Sequence, residues 1–447
     1  MKPRLAPVAV PLFLELGLGM AVGLAGTAMA ARQADAAAAG FALAHQVAAM
    51  LFIVLRIVGA GVSVVVAQAL GAGRRAEADA VARAVLGASS WVGGACAVAA
   101  WLGAEALMRG LNAPPAVLVL AAPLLQWMAP ALLLDAWNAA MASVMRAHLR
   151  AREVLGVVLA MHALHLALAL WWMPRFGLGG FAAALVASRL LGLSLHQWLW
   201  RRQLHLKPRV ADLWRLPRQE LAAVLRIGVP GAAENVAYRL AFVASVAAVG
   251  TLGAPALATQ AYVLQFNHFT LLAGLAIGLA GEVVVGHHIG SGRLHAAHRL
   301  VTRALALGLG LSVAVAGAAA LAAPWLLRLF TQDKAILAAG ATLMAWSVLL
   351  EPGRTFNLVV INALRAAGDA RFPVAVGAVS MAVVLAGGSW WLGVHLGWGL
   401  VGVWIAYAAD EWLRGLLMWW RWRRLAWVPA ARASRRRLRA LQRQAGR

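Results

Sequence analysis

Asn357-Leu-Val-Val-Ile-Asn362-Ala-Leu-Arg365-Ala-Ala-Gly368-Asp369-Ala-Arg371-Phe372-Pro373 is where an apolar helix ends. As far as Leu364 the run is largely apolar; beyond it come Arg, Gly, Asp, Arg and Pro. That change reads as a membrane helix reaching water, with a basic exit, a glycine stop and a proline opening the next helix. The stretch has a counterpart 219 positions earlier, where Asn357 falls on Asn138, Arg365 on Arg146 and Arg371 on Arg152. The same offset puts Pro230 on Pro11, Glu234 on Glu15 and Gly278 on Gly59. It also puts Gly290-Ser-Gly-Arg293 on Gly71-Ala-Gly-Arg74, and Trp390-Trp391 on Trp171-Trp172. One gapless offset linking separate places marks an internal duplication.

The 447 residues are 63% hydrophobic and only 13% charged, where a soluble chain carries about 25% charged residues. Apolar runs long enough to span a bilayer, which takes about 20 residues, recur throughout. Their helical length excludes a β-barrel and points to a helical bundle in lipid. The single cysteine, Cys96, lies in an apolar run, so there is no disulfide framework. Tryptophans near helix ends suit the two interfacial belts.

Twelve helices are expected, at roughly 8–31, 37–69, 80–108, 115–145, 154–174 and 178–200, then 222–250, 255–288, 300–329, 335–364, 372–394 and 398–420. With a cytoplasmic N-terminus, 30 of the 40 Lys and Arg fall on the cytoplasmic side, five on the other and five inside helices. This asymmetry places both termini in the cytoplasm, in the inner membrane. It also accounts for the net charge of +24 without a nucleic-acid partner. The expected organisation is an all-α integral membrane protein: an N-terminal six-helix lobe (1–200), a cytoplasmic linker (201–221), a C-terminal six-helix lobe (222–428) and a basic tail (429–447). Six is even, so both lobes enter from the same side. They are then related by an axis along the membrane normal, with a cavity between them near the midplane.

These residues resemble the multidrug and toxic compound extrusion (MATE) family. The likeness rests on the paired loops Gly71-Ala-Gly-Arg74 and Gly290-Ser-Gly-Arg293, on Val66-Ala-Gln68-Ala-Leu-Gly71 and on Asn362-Ala-Leu-Arg365-Ala-Ala-Gly368-Asp369. Pro11 with Glu15 and Pro230 with Glu234 open the two halves in the same way. The resemblance implies two six-helix lobes in a V around a central cavity, alternating access, and export of cationic or amphipathic compounds against inward H⁺ or Na⁺. No cofactor is implied, and the partners are the bilayer and small substrates, with the protein a monomer. The chain also departs from the family pattern. An acid common midway along the first helix is replaced by Gly26; the Na⁺-branch acids of helices 7 and 10 fall on Tyr238 and Arg354. Glu234 and Glu351 each stand one turn away from those positions, and the Asn/Asp pair of helix 5 is answered by His162 and His165.

Ionisable side chains inside a membrane are costly and face a cavity or a partner. Here the acids are Glu15, Asp135, Glu234, Glu282, Glu351, Asp410 and Glu411, and the bases Arg56, Arg189, Arg239, Arg354 and Arg414. Glu15 and Glu234 read either as protonatable cavity groups or as hydrogen-bonded acids near a helix start. Glu351, Arg354 and Asn357 share one helix face, as a cavity network or a structural ion pair. Asp135 is the repeat mate of Arg354. Asn138 and Asn357 suit helix–helix hydrogen bonding. His162 and His165 serve either as proton carriers or as groups satisfied by carbonyls. His287, His288, His295 and His298 lie at the basic end of helix 8 and are not expected to hold metal. An arginine amid the helix 10 oxygens opposes a sodium ion, so H⁺ is the expected coupling ion. Arg56 and Arg239 leave an anionic or zwitterionic substrate open. A flippase for an amphiphile is the alternative, and an integral-membrane enzyme a remote one.

Overall fold

The computed structural model describes residues 3–445, with side chains at 3–52, 59 and 61–437. Among the described residues there is no strand. Helices α1 (Ala6–Ala31), α2 (Asp35–Gly71), α3 (Arg75–Gly110) and α4 (Pro115–Ala147) follow in order. One continuous helical segment, Ala151–Leu199, comes next and is two helices, because Gly177 breaks it at φ 57° and ψ −144°. Only glycine adopts that conformation without strain. Its arms are α5 (151–176) and α6 (178–199). Then come α7 (Arg218–Gly250), α8 (Ala254–Ser291), α9 (Leu294–Leu321), α10 (Lys334–Ala366), α11 (Arg371–His395), α12 (Gly399–Arg423) and α13 (Val428–Ala445).

Ten of these helical stretches are long and apolar enough to cross a membrane, with α5 and α6 counted as one. Two fall short: the basic α13, and α12, which carries Asp410, Glu411 and Arg414 at its centre. Splitting the pair and adding α12 gives the twelve helices expected. The ninth ends earlier than its apolar pattern suggests, at Leu321. A separate turn, Ala323–Leu327, follows because Pro324 lacks the N–H needed to continue the ladder.

The chain separates into two compact units, Val10–Ala232 and Ala233–Arg447 with Met1–Ala9. Each has its own apolar core. In the first, Phe41, Leu124, Leu125, Met128 and Phe181 pack together. In the second the core is Val263, Leu343, Leu350, Met381, Trp404 and Tyr407. The helices pair alike in both units: α2 packs extensively on α4 in one, as α8 packs on α10 in the other. Large apolar side chains such as Leu102, Val119, Leu321 and Trp325 point outward, which is favourable when the solvent is hydrocarbon.

The segment between α6 and α7 is ordered. A π turn, Trp200–Leu204, and a 3₁₀ turn, Val210–Leu213, carry it across the ends of α3, α4 and α6. Arg75 Nη2 donates to the Leu204 carbonyl at 2.6 Å, and Trp91 Nε1 to the Trp214 carbonyl at 3.2 Å. The backbone reaches so close that a Cβ at Gly87 would run into the Arg215 carbonyl, and just beyond the segment, in α7, the Val224 carbonyl approaches Gly61 in the same way. The α13 helix follows α12 closely, with Trp427 and Ala431 buried and the Arg435 guanidinium lying over Gly292.

Candidate functional site

The duplication places one ion pair in each unit. Glu15 of α1 meets Arg146 in the last turn of α4 at 2.5 Å, and Glu234 of α7 meets Arg365 in the last turn of α10 at 2.6 Å. In both units the partners are 131 residues apart. Because Arg146 and Arg365 end their helices, both carboxylates sit toward the basic ends of the bundle. A glycine–polar contact repeats as well: Gly59 faces Ser143 as Gly278 faces Asn362.

Deeper in the N-terminal unit, Asp135 of α4 pairs with Arg189 of α6 at 2.7 Å. Asn138, one turn along α4, donates to the Arg189 carbonyl at 3.0 Å, while His196 Nδ1 lies 3.0 Å from its side-chain oxygen. That is the helix-bridging role expected of this asparagine. His162 and His165 of α5 lie within reach of the Arg189 charge. His165 is 2% exposed and packs edge-on against Phe181. Neither His165 ring nitrogen, nor Nδ1 of His162, has a hydrogen-bond partner among the described groups.

The C-terminal unit replaces this arrangement with a row of alternating charges. Glu351, fully buried, pairs with Arg354 one turn along α10 at 2.9 Å. Arg354 Nε lies 3.5 Å from Glu411 of α12. Glu411 also accepts from Asn357 at 3.0 Å and pairs with Arg414 at 3.0 Å. Arg414 holds Asp410 at 2.6 Å, and Asp410 accepts from Ser380 of α11 at 2.6 Å. That serine is the last α-helical residue before α11 loosens into π turns. Gly377 stands where a Cβ would touch both Glu234 and Arg414, so the row continues to Glu234 and Arg365. From Glu351 to Arg365 it follows α10 for 14 residues, about 21 Å at 1.5 Å per residue. Four carboxylates meet three guanidiniums here, and the row holds one carboxylate in excess.

Of the residues singled out from sequence, Glu351, Arg354, Asn357 and Glu234 therefore lie along one row. Tyr238 of α7 is half-buried, stacks on Phe242 at 6.1 Å and is within electrostatic reach of Arg354, Glu411 and Arg414. Glu15 stands apart from the Asp135–Arg189 group, joined to Arg146. Asp410, Glu411 and Arg414 read from sequence only as charges inside the membrane, and the structure brings them to Arg354, the partner of Glu351. Their signal is the Asp-Glu-x-x-Arg run in an apolar helix, and its partners on other helices lie 30 or more residues away. A neutral network of Ser245, Ser389, Gln260 and Tyr407 carried no sequence signal; its hydrogen bonds are 2.8–3.0 Å. Glu282 is buried on α8 and Arg239 is exposed on α7. The side chain of Arg56 lies outside the described residues. Among the described residues no three His, Cys, Asp or Glu gather as a metal site.

Both halves of the repeat match the MatE family model, over residues 9–171 and 230–391. The uncharacterized transporter YisQ of Bacillus subtilis (strain 168) is 30% identical over 424 residues, covering 94% of this chain and 93% of its own. The probable multidrug resistance protein NorM of Bradyrhizobium diazoefficiens is 28% identical, over 94% and 92% of the two chains. A MATE crystal structure in the bent conformation superposes with a TM-score of 0.88 at 18% identity, over 97% of each chain. The match in fold extends over nearly all of both chains, and the family match falls in both halves of the repeat, from α1 into α5 and from α7 into α11. The chain belongs to the MatE family, the multidrug and toxic compound extrusion transporters.

Proposed function

We propose that this transporter is an H⁺-coupled antiporter exporting amphipathic, cationic compounds, with the coupling proton carried by the charge row of the C-terminal unit. The observation that carries the reading is the single carboxylate in excess among Glu351, Asp410, Glu411, Glu234 and their arginines. A buried net charge is costly, and one proton removes it. When the proton is absent, the row carries a negative charge that attracts a cationic substrate. When it arrives from outside, that attraction falls and the substrate leaves. Each ligand thus favours the state the other disfavours, which is the linkage that antiport requires.

A sodium ion fits this row poorly. It seeks several oxygens with no competing cation, and Glu351, Glu411 and Asp410 each already have a guanidinium within 3.5 Å. The relatives named as multidrug resistance proteins support a broad substrate range. Asp135 and Arg189, with His162 and His165 within reach of the arginine's charge, form a second polar group in the N-terminal unit. The reading includes a monomer in the inner membrane with both termini cytoplasmic.

The test is transport of a fluorescent cationic dye in inverted vesicles, with a pH gradient and a Na⁺ gradient imposed separately. Dye movement under the pH gradient alone is expected. Movement requiring Na⁺ would overturn the coupling assignment, and no movement under either gradient would overturn the export of cations.

A further inference from the structure

Beneath the segment that joins α6 to α7, within the N-terminal unit, lies a cavity of about 280 Å³. Its floor is mostly apolar, with Leu86 of α3, Trp137 and Met141 of α4 and Leu193 of α6, beside one amide, Gln197 of α6. Val210 and Leu213 of the 3₁₀ turn form the roof, and Arg201 and Arg209, both exposed, stand at the rim. Trp137 spends its indole N–H on Ser90 at 2.9 Å, so it offers the cavity an apolar face.

We propose that this cavity binds an anionic phospholipid of the cytoplasmic leaflet, with Arg201 and Arg209 on the headgroup phosphate and acyl carbons on the apolar floor. The inference rests on the cytoplasmic placement of this face in the reading above. Three further observations select that occupant. The connecting segment carries Arg201, Arg202, Lys207, Arg209 and Arg215 against one acid, Asp212, whose carboxylate already accepts from the Arg209 backbone N–H at 2.8 Å. Such basic clusters beside a membrane attract anionic lipid. Next to them Val210 is 76% and Trp214 65% exposed, and a tryptophan among arginines suits the depth of lipid headgroups. Finally, the volume falls below the roughly 300–1,000 Å³ of drug-sized sites, so it takes part of an amphiphile whose remainder stays in the bilayer. Gly87 allows the backbone at Asp212 and Arg215 to lie flat against α3, which closes the roof. The bound lipid thereby holds the connection between the two repeats against the N-terminal one.

Binding is measured by native mass spectrometry of the full-length protein, titrated with dioleoylphosphatidylglycerol, dioleoylphosphatidylcholine or inorganic phosphate. The phosphatidylglycerol is expected to bind at least tenfold tighter than the phosphatidylcholine. The double variant Arg201→Gln/Arg209→Gln is expected to lose roughly thirtyfold, about fivefold per arginine near an anionic surface. A control of equal charge change on α13, Arg435→Gln/Arg436→Gln, is expected to keep the tightest site. Leu193→Trp, which fills the floor without altering charge, is expected to weaken phosphatidylglycerol at least tenfold. Equal binding of the two lipids, unchanged affinity in the double or the filled variant, or an equal loss in the control would overturn the proposal. Displacement of the lipid by millimolar phosphate would replace it with a free-anion site. The readout is binding, so failure here is distinct from failure of the export reading.

Discussion

Glu411 touches both buried arginines and the Asn357 amide, so its charge is shared more widely than that of Glu351, which has Arg354 alone. Replacing Glu411 with Gln leaves Glu351 and Asp410 against Arg354 and Arg414 and removes the excess carboxylate from the buried part of the row. Dye export driven by a pH gradient is expected to fall at least tenfold, with surface expression unchanged. Glu234→Gln acts at the other end of the row and is expected to reduce the same export while the protein still folds and inserts. Unchanged export in both variants would remove the row from coupling. Arg414 presents a different case, because its loss takes the arginine from buried Asp410 and leaves buried Glu411 with Arg354 at 3.5 Å and the Asn357 amide. Arg414→Met is expected to cost about 3–5 kcal/mol, read as a lower thermal unfolding temperature in detergent, and a variant as stable as the parent would contradict the ion-pair geometry. Glu351 and Arg354 could be paired from their spacing alone. Glu411 and Arg414 share that i, i+3 spacing, but their contact with Arg354 could not be read, since a pattern within α12 says nothing about which helix it faces.

At the scale of elements, the connection between the repeats shows how composition and structure differ. Its prolines and basic residues read as a polar linker, and it is basic and exposed over much of its length. Its backbone is nevertheless held in place by Arg75, Trp91 and Gly87, whose role is to have no side chain. Gly87→Val places methyl groups where the Arg215 carbonyl lies. Trypsin is expected to cut the detergent-solubilised variant at Arg209 or Arg215 several times faster than the parent. Equal rates would show that the segment is not seated on α3. The α5–α6 break was legible from sequence because Pro174 and Gly177 punctuate an otherwise unbroken apolar run. The seat of the linker was not, because a glycine inside an apolar helix has many uses and sequence does not say which carbonyl approaches it.

Across the whole molecule, the repeat keeps a skeleton and changes its chemistry. The α1–α4 and α7–α10 ion pairs and the facing glycines are shared, whereas the deep polar groups differ: Asp135 with Arg189 and histidines in one unit, acids with two arginines in the other. The distribution of basic residues implies one topology, which is testable in a background where the buried Cys96 is replaced by Ser. Cysteines substituted for Arg75 and Arg209 are expected to react with an impermeant maleimide from the cytoplasmic side alone; labelling from outside would invert the topology. The sequence by itself determined the solvent, the helix count, the duplication and the family, because apolar run length, charge asymmetry and a constant offset are one-dimensional quantities. Only the tertiary structure decided which charges meet. A buried carboxylate is neutralised by whatever cation packing brings within about 3–4 Å, and for Glu234 that cation, Arg365, lies 131 residues away.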